Sequence, residues 1–112
     1  MASRADIQNL CDVIVADSAP QRVILFGSHA YGSPSADSDV DLLVVLPFDG
    51  SPIRKAAEIS QHIPHRFPVD VLARTPEEVA RRLKLGDPFF REIVERGIVL
   101  YDAADAGVGT KS

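Results

Sequence analysis

The chain has 112 residues, 46% of them hydrophobic and 25% charged, with a net charge of −4 and a pI of about 5.2. This length supports one domain around one core, and the acidic balance provides no general field for nucleic acid, so a nucleic-acid partner is not expected. A lone cysteine, Cys11, excludes an internal disulfide, and neither an apolar run near the roughly 20 residues of a membrane span nor an export-signal core is present, which makes the expected location the cytoplasm, with no membrane contact.

Ser3, with Asp6 three residues on, resembles a capping box and opens a first helix. Ile7, Leu10, Cys11 and Ile14 recur along it at helical spacing and predict one apolar face, with Cys11 an inert core residue. "SAPQ" breaks the helix, and "RVILF" reads as a short strand. A Gly/Ser-rich loop, residues 27–38, leads to a second strand, "DVDLLVVL". Ser51 and Pro52 then predict the N-cap and first turn of a helix whose apolar positions run to Ile63. Pro64 and Pro68 precede a third strand, "VDVLA". Thr75-Pro76-Glu77-Glu78 opens a helix to about Lys84, and Asp87-Pro88 opens another that Gly97 stops. "IVLY" is the last strand. The segment from Asp102 to Ser112 is small, polar and aperiodic, so the domain is expected to span 1–101 and to end in a disordered tail, 102–112. Strands alternating with helices predict an α/β domain around a small sheet. The second strand is apolar on both faces after Asp41, which predicts a central place in it.

Asp39 and Asp41 interrupt that apolar run. An uncompensated buried carboxylate costs several kcal/mol, so the pair predicts a compensating cation. Residues i and i+2 of a strand share a face, with Cα atoms about 6.6 Å apart. Such a pair suits one metal, or the clamping of two metals roughly 3.5–4 Å apart. Asp70 begins a similar apolar strand and would complete a three-carboxylate cluster if the two strands are neighbours. Magnesium would relieve the repulsion of three like charges, because it favours carboxylates together with phosphate oxygens. Gly27-Ser28, at the end of the first strand, lets a backbone approach a phosphate and offers N–H groups and a hydroxyl to it. Other motifs fail on the letters. An EF-hand loop from Asp37 would have Leu42 and Phe48 where Gly and Glu are needed, and "GSHAYGSP" has Ser33-Pro34 in place of the P-loop Lys-Ser/Thr. No strand is followed by G-x-G-x-x-G, and His29, His62 and His65 form no zinc spacing with the single Cys.

With Gly-Ser, ten residues and Asp-x-Asp, "LFGSHAYGSPSADSDVDLLVVL" resembles the signature of the DNA polymerase β-type nucleotidyltransferases, and the small size resembles the minimal nucleotidyltransferases, the MNT group. The likeness covers about residues 22–73. It implies a mixed sheet flanked by helices and transfer of a nucleoside monophosphate from an NTP with release of pyrophosphate. By the same likeness Gly27 and Ser28 would hold the triphosphate, Asp39 and Asp41 would coordinate two Mg2+ ions, and Asp70 would bind one of them and help deprotonate the acceptor hydroxyl. Many relatives carry Arg around the Gly-Ser segment where His29 and Tyr31 stand here, so fewer cations would face the triphosphate. Larger relatives enclose the site with a second domain; here a second copy or a partner is expected to complete it. The resemblance further implies an antitoxin role, with ATP as donor and a tyrosine of an all-helical HEPN-type toxin as acceptor.

Two alternatives stay open at this point: a catalytically weak module that neutralises a partner by occlusion, and transfer to a small molecule or an RNA end. Asp37 is read as a loop residue, and the three histidines as surface or capping residues. Tyr31 is read as packing rather than stacking on a base. Arg81, Arg82 and Lys84 are read as a solvated basic face, and Phe89 points to a partner surface.

Overall fold

The computed structural model describes residues 2–32, 34–35, 38–64 and 66–105. Helix α1 (Arg4–Ser18) begins with the expected capping box: the Ser3 hydroxyl accepts from the Asp6 amide and the Asp6 carboxylate accepts from the Ser3 amide. It buries Ile7, Leu10, Cys11 and Ile14, and ends where Ala19 turns into the left-handed region ahead of Pro20. Strand β1 (Arg22–Phe26) leads into a one-turn helix, α2 (Ser28–Tyr31), which the sequence reading leaves as loop. Four residues between Gly27 and Gly32 carry no apolar periodicity, so nothing local announces that turn.

Strand β2 (Val40–Val45) starts one residue after Asp39. Helix α3 (Pro52–Gln61) is capped by Ser51, whose hydroxyl accepts from the Arg54 amide, and it ends before Ile63, which is nevertheless buried. Strand β3 (Val69–Arg74) is followed by α4 (Pro76–Lys84), capped by Thr75, and α5 (Pro88–Arg96), capped by Asp87. Strand β4 (Ile98–Asp102) runs one residue beyond the expected end, because Asp102 pairs with Arg22 and the Ala103 amide donates to the Gln21 carbonyl. Asp102 thus belongs to β4 and Ala103 is bonded to the segment before β1, while 106–112 lie outside the described residues, as do Asp37 and His65.

The strands form one mixed sheet in the order β3-β2-β1-β4. β1 runs antiparallel to both β2 and β4, while β2 and β3 are parallel. Strand β2 is internal, as its apolar run predicts. Its alternate residues serve two cores. Val40, Leu42 and Val44 join α1 and α3 on one face, and Leu43 and Val45 join Ile24, Val79, Phe90 and Ile93 beneath α4 and α5 on the other. Cys11 is fully buried in the first core, and burial, aided by Asp12, pushes its thiol up to about 11, so it is inert as expected.

The basic face of α4 is not free. Arg81 and Arg82 both hold Glu78, at 2.8 and 3.0 Å, and Arg82 also reaches Asp87 at 3.4 Å. These hydrogen bonds pull the Glu78 carboxyl down to about 2. Glu78 also lies in the first turn of α4, where a negative charge is favourable.

Candidate active site

The end of β1 and the starts of β2, β3 and β4 share one rim of the sheet. Asp41 faces the α4/α5 side there, in phase with Leu43 and Val45. The parallel register sets Asp41 directly opposite Asp70, and on its other flank Asp41 pairs with Phe26, the residue before Gly27. The carboxylates that the letters hold far apart are therefore neighbours through strand pairing. They are less buried than expected: Asp41 is half-buried, whereas Asp39 and Asp70 are exposed. Asp39 lies just before β2, and Asp41 and Asp70 are the second residues of β2 and β3, so the rim replaces the strand interior as their setting.

The Asp41 carboxyl is held above its ordinary value of 3.8, first by burial, then by Asp70 and Asp39, with His29 opposing. None of the three carboxylates has an ion pair or hydrogen bond among the described residues. An all-oxygen donor set with unrelieved repulsion suits a hard divalent cation. Among the described residues, however, no group of three or more His, Cys, Asp or Glu is gathered into a closed metal centre. Asp41 and Asp70 are paired by the register, and the exposed Asp39 lies one residue before β2.

Gly27 adopts φ 73° and ψ −160°, a region essentially confined to glycine. A Cβ there would run into the Asp41 carboxylate, with Oδ2 the nearest atom and Cγ 3.1 Å away. Glycine thus brings the backbone down onto the carboxylate and ties the Gly-Ser turn to Asp41. The first amides of α2, at Ser28 and His29, have no carbonyl of their own helix to donate to. Gly27→Ala is expected to leave a folded protein in which the Asp41 carboxylate is displaced, with transfer lowered on the order of 10²-fold. Steady-state rates beside a thermal melt check this.

Around this core lie residues to which the sequence reading gives no part in the chemistry. His29 is half-buried, its Nε2 3.3 Å from the Ser38 carbonyl oxygen. Phe26 meets the half-exposed Phe89 edge to face, ring centroids 5.8 Å apart, so Phe89 borders the rim at the start of α5. Tyr31 packs, as expected, but against a cation: the Arg96 guanidinium sits 4.5 Å from its ring centre. His62 is a capping residue, Nδ1 2.7 Å from the Glu58 carbonyl oxygen. A cavity of about 260 Å3, lined by Asp6, Leu10, Val13, Arg66 and Phe67 among others, involves none of the rim residues.

Comparison with known proteins agrees with this geometry. A nucleotidyltransferase-domain family model matches residues 9–101, far beyond the Gly-Ser and Asp-x-Asp segment. The chain is also 30% identical over 81 residues, 72% of its own length and 78% of the other's, to the Methanocaldococcus jannaschii protein named "Putative protein adenylyltransferase". With the mixed sheet and the rim carboxylates in place, the chain belongs to the nucleotidyltransferase family, of the polymerase β type.

Proposed function

We propose that this nucleotidyltransferase moves AMP from ATP, with Mg2+, onto a tyrosine hydroxyl of a protein partner of the all-helical HEPN type, and so acts as an antitoxin in the cytoplasm. The observation that carries the reading is the register pair Asp41 and Asp70 with Gly27 seated on Asp41. The pairing of Asp41 with Asp70 supports roles for them as metal ligand and base, and the close seat of Gly27 on Asp41 supports a phosphate-binding turn beside them. The exposure of Asp39, Asp70 and Phe89 supports an acceptor presented by a large partner. The name of the Methanocaldococcus relative favours a protein acceptor and adenylyl transfer. A cytoplasmic place accords with the single cysteine and with the lack, among the described residues, of any helix long and apolar enough to cross a membrane.

In this mechanism Gly27 and Ser28 hold the triphosphate through backbone N–H groups and the Ser28 hydroxyl. Asp39, Asp41 and Asp70 would hold the two Mg2+ ions, which when bound neutralise phosphate charge and lower the acceptor hydroxyl's pKa. Asp70 accepts the proton of the tyrosine hydroxyl. The freed oxygen forms a bond to the α-phosphorus, the bond from that phosphorus to the bridging oxygen breaks, and pyrophosphate leaves with the electron pair. The Gly-Ser turn stays on the leaving group throughout.

The test incubates the full chain with ATP labelled on the α-phosphate, Mg2+ and lysate of the organism that makes it, beside an Asp39→Asn/Asp41→Asn control. Label on tyrosine of a helical protein, dependent on the two carboxylates, is the expected result. Label on RNA or a small molecule would reject the protein acceptor. No label, with the same partner captured equally by both versions, would replace catalysis by occlusion.

A further inference from the structure

The sheet order separates two sides of the rim. Asp70, on β3, lies to one side of Asp41, and Gly27, at the end of β1, lies to the other. In-line displacement at phosphorus needs the entering and leaving oxygens on opposite sides of the atom. With the acceptor at Asp70, the leaving pyrophosphate therefore lies over the Gly-Ser turn and α2.

That side is short of positive charge in its own segment, since α2 consists of Ser28, His29, Ala30 and Tyr31. A permanent cation arrives instead from the last turn of α5. Arg96 lies over the Tyr31 ring at 4.5 Å, and its Nη1 is steadied by Glu92 at 3.2 Å. Its side chain is still 57% exposed, so donors remain available to a ligand. The stack is tied to the rim through the backbone: the Tyr31 amide donates to the Gly27 carbonyl at 2.9 Å, and Gly27 sits on the Asp41 carboxylate. Another stacked arginine, Arg74, stands at the end of β3 away from the rim and is directed elsewhere: it donates to the Ala73 carbonyl and lies over Phe90.

We propose that Arg96, positioned by the Tyr31 ring and by Glu92, is the side chain that binds the β- and γ-phosphates and neutralises the departing pyrophosphate. Guanidinium suits the role, because it can stack on an aromatic face and still offer paired N–H donors to phosphate oxygens. Tyr31 is a positioning residue through its ring.

This inference rests on the nucleotidyltransferase reading of the rim, and its test separates the two. Binding of three probes to the full chain is measured by calorimetry with Mg2+: α,β-methylene-ATP, pyrophosphate and AMP. Arg96→Ala is expected to weaken the triphosphate analogue and pyrophosphate about tenfold while changing AMP less than about twofold, the loss typical of a charged hydrogen-bonded contact. Tyr31→Phe should bind as the wild type does, and Tyr31→Leu should share the Arg96→Ala defect. Arg91→Ala, which removes an equal charge from the same helix where Arg91 faces Glu95, should bind normally and control for long-range charge. Equal affinities of Arg96→Ala and wild type for all three probes would overturn the assignment, as would an equal loss that includes AMP. A wild-type chain that binds no triphosphate analogue would overturn the rim reading itself, and Arg96 with it.

Discussion

Asp41→Asn is expected to abolish transfer and, in the same protein, to raise thermal stability. The amide cannot supply the negative charge around which the rim is built, so the rate should fall on the order of 10³-fold, equivalent to about 4 kcal/mol of transition-state stabilisation. Stability moves the other way. Burial, Asp70 and Asp39 all hold the folded-state carboxyl of Asp41 above its ordinary value of 3.8, so the fold disfavours the ionised form. That penalty is fully present at neutral pH and disappears as pH falls below the ordinary value, where the group is protonated in both states. In EDTA, the melting temperature of Asp41→Asn should exceed wild type at pH 7, and the gap should narrow as pH falls and vanish only well below 3.8. Added Mg2+ should raise the wild type and leave the variant unmoved. Melting curves across pH, with and without metal, check every part of this.

The largest loss of stability is expected from Gly97→Ala. Gly97 closes α5 in an ordinary extended conformation, so its requirement for glycine is one of space. A Cβ would collide with the Ile93 carbonyl, lie 2.7 Å from Ile24 Cγ2 and 3.0 Å from the Leu25 carbonyl. Two of those neighbours are backbone, in α5 and β1, and cannot turn aside. Ile24 and Ile93 are both fully buried in the core beneath α5, so relief requires the helix to lift from the sheet. Overpacking of this kind costs about 3 kcal/mol, or a melting temperature lower by roughly 12–15 °C. Gly97→Ser should do as badly, whereas Gly50→Ala, with open space around its Cβ, should show only the smaller strain of its positive φ.

How far the letters lead depends on the range of the signal. Caps at Ser3, Ser51, Thr75 and Asp87 act within one turn, and each starts its helix where the sequence puts it. Asp39 and Asp41 are legible because two carboxylates break an apolar run at strand spacing, and Asp70 because it repeats the pattern. The pairing of Asp41 with Asp70 needs a parallel register, which no local residue encodes. Burial of the carboxylates is misjudged for the same reason: a strand's start and its interior read alike in letters, and the sheet rim exists only once strands are aligned. The one-turn helix α2 is too short for a period. The encounter of Tyr31 with Arg96 depends on where α5 crosses the sheet, and by itself Arg96 reads as a favourable charge at a helix end. At Gly97 the sequence has the stop in the right place, although steric room rather than a left-handed turn is what demands glycine.

The sheet order also sets a schedule for biosynthesis. Strands β1, β2 and β3 are contiguous in the sheet and complete by Arg74, so Gly27, Asp39, Asp41 and Asp70 can assemble while the last third of the chain is still being made. β4, by contrast, returns from the end of the chain to pair with β1, the earliest strand. Until α4 and α5 emerge, Ile24, Leu43 and Val45 present a bare apolar face to the surroundings. A nascent chain at that stage carries its rim carboxylates on a sheet with one side uncovered and one long edge unpaired, the form most prone to self-association. Chaperone demand and losses to aggregation should therefore concentrate in the interval between Arg74 and Asp102, and a ribosome pause there would be costlier than one anywhere earlier.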